Sequence, residues 1–197
     1  MGYTHYWYRK EPGFGREAIE HISSDFAKLV GPLLEAGVVL AGPDGTEAPE
    51  ISSAALAFNG PADCGHEPRD LGITWPSNDA RGGVGVSSPA VGTWFAGAKL
   101  ATRTCGGDCS HESFFLEASP VEPSKASSGD YFDFCKTAYK PYDLAVTAAL
   151  IVAKNHLGDR IRILSDGETQ DWGDARRLCQ YVLGYGADFD LDTEDDD

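Results

Sequence analysis

Phe134-Cys135-Lys136-Thr137-Ala138-Tyr139-Lys140-Pro141-Tyr142-Asp143 is the stretch on which the fold turns. An apolar run ends at Cys135, two lysines follow, and Pro141 opens the most hydrophobic segment of the chain, Leu144 to Ala153. Proline presets a helical φ and lacks an N–H that a first helical turn would leave unpaired anyway. The stretch therefore reads as a strand passing into a helix from Pro141 to His156, closed by Gly158. A helix N-terminus attracts anions through its unpaired N–H groups, and Lys136 and Lys140 add two point charges beside it.

Upstream, the spacing predicts strands at Ser113–Glu117 and Tyr131–Lys136, joined by a Pro- and Ser-rich linker at 119–129. Residues 60–111 form a Gly/Pro-rich insertion with only short apolar islands, too long for an untethered loop in a compact domain. Before it, Ile51 to Phe58 and Val38 to Ala41 read as strands. The apolar positions Ile19, Ile22, Phe26, Leu29 and Leu33 give one helical stripe, which Gly31-Pro32 is expected to kink or end. Residues 2–9 alternate, with Tyr3, His5 and Trp7 on one face and Thr4, Tyr6 and Tyr8 on the other. Downstream, Arg160 to Leu164 alternates as a half-buried strand, and Asp166-Gly167 makes a turn. Asp171 then caps a last helix with Trp172, Ala175, Leu178, Cys179 and Val182 on one face. The expected class is α+β: a mostly antiparallel or mixed sheet, about three helices packed on it, and the long insertion.

The 197 residues suit one domain over 1–187, followed by an acidic, solvated tail at 188–197. The tail carries seven of the fifteen excess negative charges, which leaves the body ordinarily acidic. Binding to a nucleic-acid backbone needs a basic footprint, and the chain as a whole shows none. The N-terminus has no basic start and no long apolar run, and the longest apolar stretch is about half of what a membrane helix needs. No membrane association and a cytoplasmic location are the expectations.

Met1-Gly2-Tyr3-Thr4-His5-Tyr6-Trp7, Phe58-Asn59-Gly60, His111-Glu112, Phe134-Cys135-Lys136-Thr137-Ala138, Lys140-Pro141-Tyr142-Asp143 and Ser165-Asp166-Gly167 together resemble a family of small uncharacterised proteins of phages and bacteria that open with the same heptapeptide. The resemblance spans nearly the whole chain apart from the insertion and the tail. It implies a phage-related accessory protein that acts on host defence, and it supplies no mechanism.

Four groupings carry chemistry. The lysine corner, with Asn59, His111, Lys136, Lys140 and Asp166, fits a small anionic or nucleotide-like ligand, the favoured function. Cys64-Gly65-His66 and Cys105-x3-Cys109 stand at the two ends of the insertion. Cys64, His66, Cys105 and Cys109 suit a tetrahedral zinc site, although the spacing also allows free thiols or a Cys105–Cys109 disulfide. Cys135 with His111 and Glu112 would make a nucleophile, base and carboxylate for a hydrolase or transferase. The acidic tail offers a third class, a protein-interaction module.

Overall fold

The computed structural model describes residues 2–66, 100–105 and 107–193. It is an α+β fold with two small antiparallel sheets, where sequence patterning alone suggested one. The first sheet has the order β5-β1-β6, with β1 at Thr4–Arg9, β5 at Tyr131–Lys136 and β6 at Arg162–Ser165. The second has the order β2-β3-β4, with β2 at Glu50–Ile51, β3 at Ala55–Phe58 and β4 at Phe114–Glu117. Strand periodicity tells which face of a strand is buried but not which neighbour it pairs with, so the split was not readable from pattern. The run expected as one strand from Ile51 to Phe58 is instead a tight hairpin. Its turn is held by the Ser52 hydroxyl, which accepts from Ala54 N at 3.1 Å and Ala55 N at 3.2 Å. Val38 to Ala41 contributes only a bridge between Ala41 and Asn59.

β1 is the central strand, and its alternation sets both faces of its sheet. Tyr3, His5 and Trp7 are buried, and Thr4 pairs with Lys136 while Tyr8 pairs with Phe132 and Arg162. A file of rings joins the two sheets through the core. Phe26 stacks on Phe58 at 5.0 Å, Phe58 meets Phe114 at 5.0 Å, and Phe114 meets Trp7 at 5.2 Å.

Helix α1 (Arg16–Glu35) buries Ile19, Ile22, Phe26, Leu29 and Leu33, the expected stripe. Ser23 joins the buried face because its hydroxyl donates to the Ser52 carbonyl at 2.8 Å. The helix passes through Pro32 rather than ending there. Past the proline, Leu33 and Ala36 are fully buried, so packing outweighs the breaker. Gly37 at φ 87° then closes the helix, with Gly37 N on the Leu34 carbonyl and Val38 N on the Leu33 carbonyl.

Helix α2 (Asp143–Leu157) is buried along nearly its whole length because α1 and α3 flank it. α3 (Gly173–Leu183) follows a 3-10 turn at Thr169–Trp172 and buries Ala175, Leu178 and Cys179 beneath Trp172. No helix among the described residues is long and apolar enough to cross a membrane.

Residues 188–193 depart from the expected free tail, while the last four residues lie outside the described set. Phe189 is 8% exposed and stacks on Trp172 at 5.1 Å. The Asp192 carboxylate accepts from Lys154 Nζ and from Ile163 N, both at 2.8 Å, and Asp192 N donates to the Ile163 carbonyl at 3.0 Å. This stretch therefore covers the outer edge of β6. Phe189→Ala should lower stability by about 3 kcal/mol in urea unfolding, whereas a solvated tail would leave the midpoint unchanged.

Candidate metal centre and adjoining cleft

The two ends of the insertion meet. Cys64 and His66 follow β3, and Cys105 and Cys109 precede β4. Their ligand atoms all lie within 4.8 Å of one another. Cys64 Sγ is 3.5 Å from Cys105 Sγ, Cys105 Sγ is 3.4 Å from Cys109 Sγ, and His66 Nδ1 is 3.3 Å from Cys109 Sγ. A disulfide would bring two sulfurs to about 2.05 Å, so all of these thiols are unbridged. Metal–ligand bonds of about 2.0–2.3 Å in tetrahedral array put ligand atoms roughly 3.5–3.8 Å apart, close to the spacings seen. The Cys64 thiol is drawn down: burial opposes this, but the His66 amide and the Cys105 and Cys109 thiols outweigh it. Burial, then Cys105 and Cys64, push the Cys109 thiol up. Three crowded thiols resist sharing negative charge, and a bound dication would relieve that conflict.

The loop bearing this cluster is fastened to the body. Cys109 N donates to the Pro61 carbonyl at 3.1 Å, and a Cβ at Gly60 would collide with the Cys109 carbonyl. Lys140 Nζ donates to the Asp108 carbonyl, between the two cysteines. Thr104 N donates to the Tyr139 carbonyl at 2.7 Å.

Two residues before Cys105, Arg103 enters the interior and is only 3% exposed. Its Nε lies 3.1 Å from Asp143 Oδ2, and Nη1 lies 3.8 Å from Asp174 Oδ2. The Nε–H is not aligned on any acceptor and remains unsatisfied. Asp143, 2% exposed, also receives His5 Nε2 at 2.8 Å and the Thr137 hydroxyl at 2.6 Å. Burial works against the Asp143 carboxylate, but His5, Arg103 and Thr137 outweigh it and hold its pKa below the ordinary range. On its other side His5 Nδ1 sits 3.0 Å from Ser165 Oγ, which accepts from Gly167 N at 3.1 Å. This serine–histidine–aspartate file is a brace, because the histidine is fully buried and both its nitrogens are engaged.

Above Arg103 opens a cleft of about 460 Å³, walled by Thr102, Tyr139, Gln170, Asp171, Asp174 and Arg177. Asp174 is held by Ala101 N at 2.8 Å and by Arg177. Ala138 and Tyr139 both adopt left-handed backbone, at φ 50° and 56°. Two consecutive non-glycine residues in that region are costly, and such strain collects at functional sites. The strain turns the Tyr139 ring onto Tyr3, with centroids 3.8 Å apart, while leaving Tyr139 41% exposed at the cleft mouth.

The other residues singled out from sequence fall elsewhere. α2 starts at Asp143 rather than Pro141, behind a buried Pro141–Tyr142 turn, and the anion in its first turn is the protein's own Asp143. Lys140 is spent on the metal loop, and Lys136 N donates to Glu112 Oε2 at 3.0 Å. Asn59 is structural: its amide donates to the Pro43 and His111 carbonyls and accepts from Gly60 N and His111 N. Asp166 accepts from Thr4 N and the Tyr6 hydroxyl, both at 3.0 Å. Cys135 is fully buried, its thiol pushed far up chiefly by burial, and its Sγ donates to the Glu112 carbonyl at 3.3 Å. His111 meets Asn59 through its backbone. These contacts do not assemble Cys135, His111 and Glu112 into a nucleophile–base–carboxylate chain.

Comparison with protein-family models, with curated proteins and with solved structures returned no match. Sequence reading missed Arg103, Asp174 and Arg177, and took Asp143 for a helix-dipole residue. The one local signal was the position of Arg103 beside Cys105.

Asp143→Asn should cost about 3 kcal/mol at neutral pH by leaving Arg103 uncompensated. The Asp143 pKa is depressed on folding, so its contribution is complete above the unfolded value of about 3.9 and is lost as pH falls through the folded value. Urea titrations at pH 7 and pH 3 should show the gap between wild type and Asp143→Asn narrowing in acid.

Proposed function

We propose that this chain is a zinc-tied binding domain for a small anionic, nucleotide-like ligand. Cys64, His66, Cys105 and Cys109 would hold one Zn²⁺ with four protein ligands. That is the closed set of a structural rather than a catalytic site. The metal's task would be to fasten the loop that delivers Arg103 to the cleft. The ligand would lie over Arg103 and Arg177, with an aromatic or base-like group against the exposed face of Tyr139 and a hydroxyl toward Asp171.

The observation that carries this reading is the buried, incompletely satisfied Arg103 on the floor of the cleft, two residues from the Cys/His cluster. A buried guanidinium needs its donors answered, and an N–H left over beside an open cleft is suited to a ligand oxygen. The ligand proposed from the lysine corner is kept, and its place moves to this cleft because Lys140 and the start of α2 are already occupied.

Metal analysis should give one zinc per chain, falling several-fold in Cys105→Ser, and a chelator should lower the melting temperature. A metal content near zero in protein purified without chelator would sink the zinc assignment. A panel of nucleotides and cyclic nucleotides should include one that stabilises the protein. At 100-fold excess over Kd the expected gain is about 2.7 kcal/mol. Tyr139→Ala and Arg177→Ala should each weaken that ligand about tenfold, and a ligand indifferent to both refutes the cleft.

A further inference from the structure

The sheet β5-β1-β6 turns its second face away from the helices. Its inward face carries the buried Tyr3, His5, Trp7, Cys135 and Ile163. Strand pairing places the outward residues in three rows: Arg162, Tyr8 and Phe132; then Leu164, Tyr6 and Phe134; then Asp166, Thr4 and Lys136. Four aromatic rings thus occupy the middle of one small sheet face. Phe134 is 49% exposed, and Tyr6, Tyr8 and Phe132 are half-buried. The rings do not fold into one another as a core would. Phe132 lies nearly parallel to Tyr6 (17°, 6.2 Å) and to Phe134 (24°, 5.7 Å).

Charge decides what such a face accepts. The chain carries a net −15, yet two corners of this face are cationic, Arg162 and Lys136. The Arg162 guanidinium sits 4.8 Å over the Tyr8 ring. The one carboxylate of the face, Asp166, is already held by Thr4 N and Tyr6. A protein-binding patch gains from apolar area with little charge at its centre and rim polarity of either sign. Aromatic rings lying open on a strand face with cations at opposite corners match the way single strands are bound: bases stack on rings and phosphates meet the cations.

We propose that this face is a stacking platform for single-stranded nucleic acid. The acidity of the rest of the chain shapes how it binds. Only about two phosphates find a cation, so affinity comes from stacking, and the slope of log K against log salt is shallow, near −1.4 for single strands. This agrees with the lack of a chain-wide basic footprint, which speaks against backbone-driven binding and leaves base-driven binding open. Duplex, whose bases are already stacked, is a poor ligand for the same reason.

The test is fluorescence anisotropy of labelled 12-mers of oligothymidylate and oligouridylate titrated with the full chain at two salt concentrations. Binding is expected with the shallow slope, stronger than for a duplex of equal length. Phe134→Ala should weaken it about tenfold and Phe134→Trp should restore it. Phe134 is exposed, so an unchanged melting temperature of Phe134→Ala separates loss of binding from loss of fold. Comparable binding of both oligomers identifies stacking alone as the readout, while preference for one assigns a sugar contact to the same face. No binding at millimolar oligomer overturns the proposal, as does binding indifferent to Phe134→Ala. A wild-type dimer dissociated by Phe134→Ala in sedimentation would overturn it in favour of self-association.

Discussion

The fold hangs on one buried carboxylate. Asp143 stands at the first position of the central helix with His5, Thr137 and Arg103 on its two oxygens. Removing an ion from water costs several kcal/mol, which only close and well-placed partners offset. Those partners come from three separate parts of the chain: the first strand, the β5–α2 junction and the far end of the insertion. Satisfying Asp143 therefore dictates where each of them must lie. The strain at Ala138 and Tyr139 follows from the same demand. The chain must reverse between Thr137, whose hydroxyl reaches Asp143 from the strand side, and Asp143 itself only six residues on. Two left-handed residues make that reversal, and the network holds them there.

Arg103 connects this centre to the cysteines. It is the one partner of Asp143 contributed by a segment with little secondary structure of its own. A segment of that kind is positioned by tethers, and Arg103 has three nearby: Thr104 N on Tyr139, Lys140 on the Asp108 carbonyl, and the Cys64–His66–Cys105–Cys109 cluster. Without those tethers Asp143 and Asp174 would both lose a cation while remaining buried. The lysine that looked like a ligand residue thus serves the same end as the cysteines, keeping the loop against the body.

Much of the local structure was legible because periodicity and burial agree. The inward face of β1, the span of β5 and the apolar side of α3 all follow from alternation or helical spacing. The four members of the Cys/His cluster were legible as residue types at the two ends of one insertion. What was not legible depended on long-range pairing. Nothing near Asp143 announces an arginine forty residues upstream, and neither alanine nor tyrosine advertises a left-handed backbone as glycine would. The docking of residues 188–193 is an intermediate case. Phe189 and Leu191 alternate with Asp188, Asp190 and Asp192, a period-two pattern that fits an edge segment beside β6. The density of charge hid it.

That charge is better understood residue by residue than as a sum. Asp143 and Asp174 neutralise a buried arginine, and Asp192 receives Lys154 and the Ile163 amide. Asp25 is held below its ordinary pKa against burial by Lys28, His156 and Tyr185. Asp166 pins Thr4 and Tyr6 at the end of the first sheet. Each of these carboxylates is an internal fastening, so the acidity of the body says little about what the protein binds. The cations are more informative because they are scarcer, and two of them stand beside rings that the core does not claim. The function of an acidic chain is best sought where its few positive charges coincide with aromatic surface left uncovered.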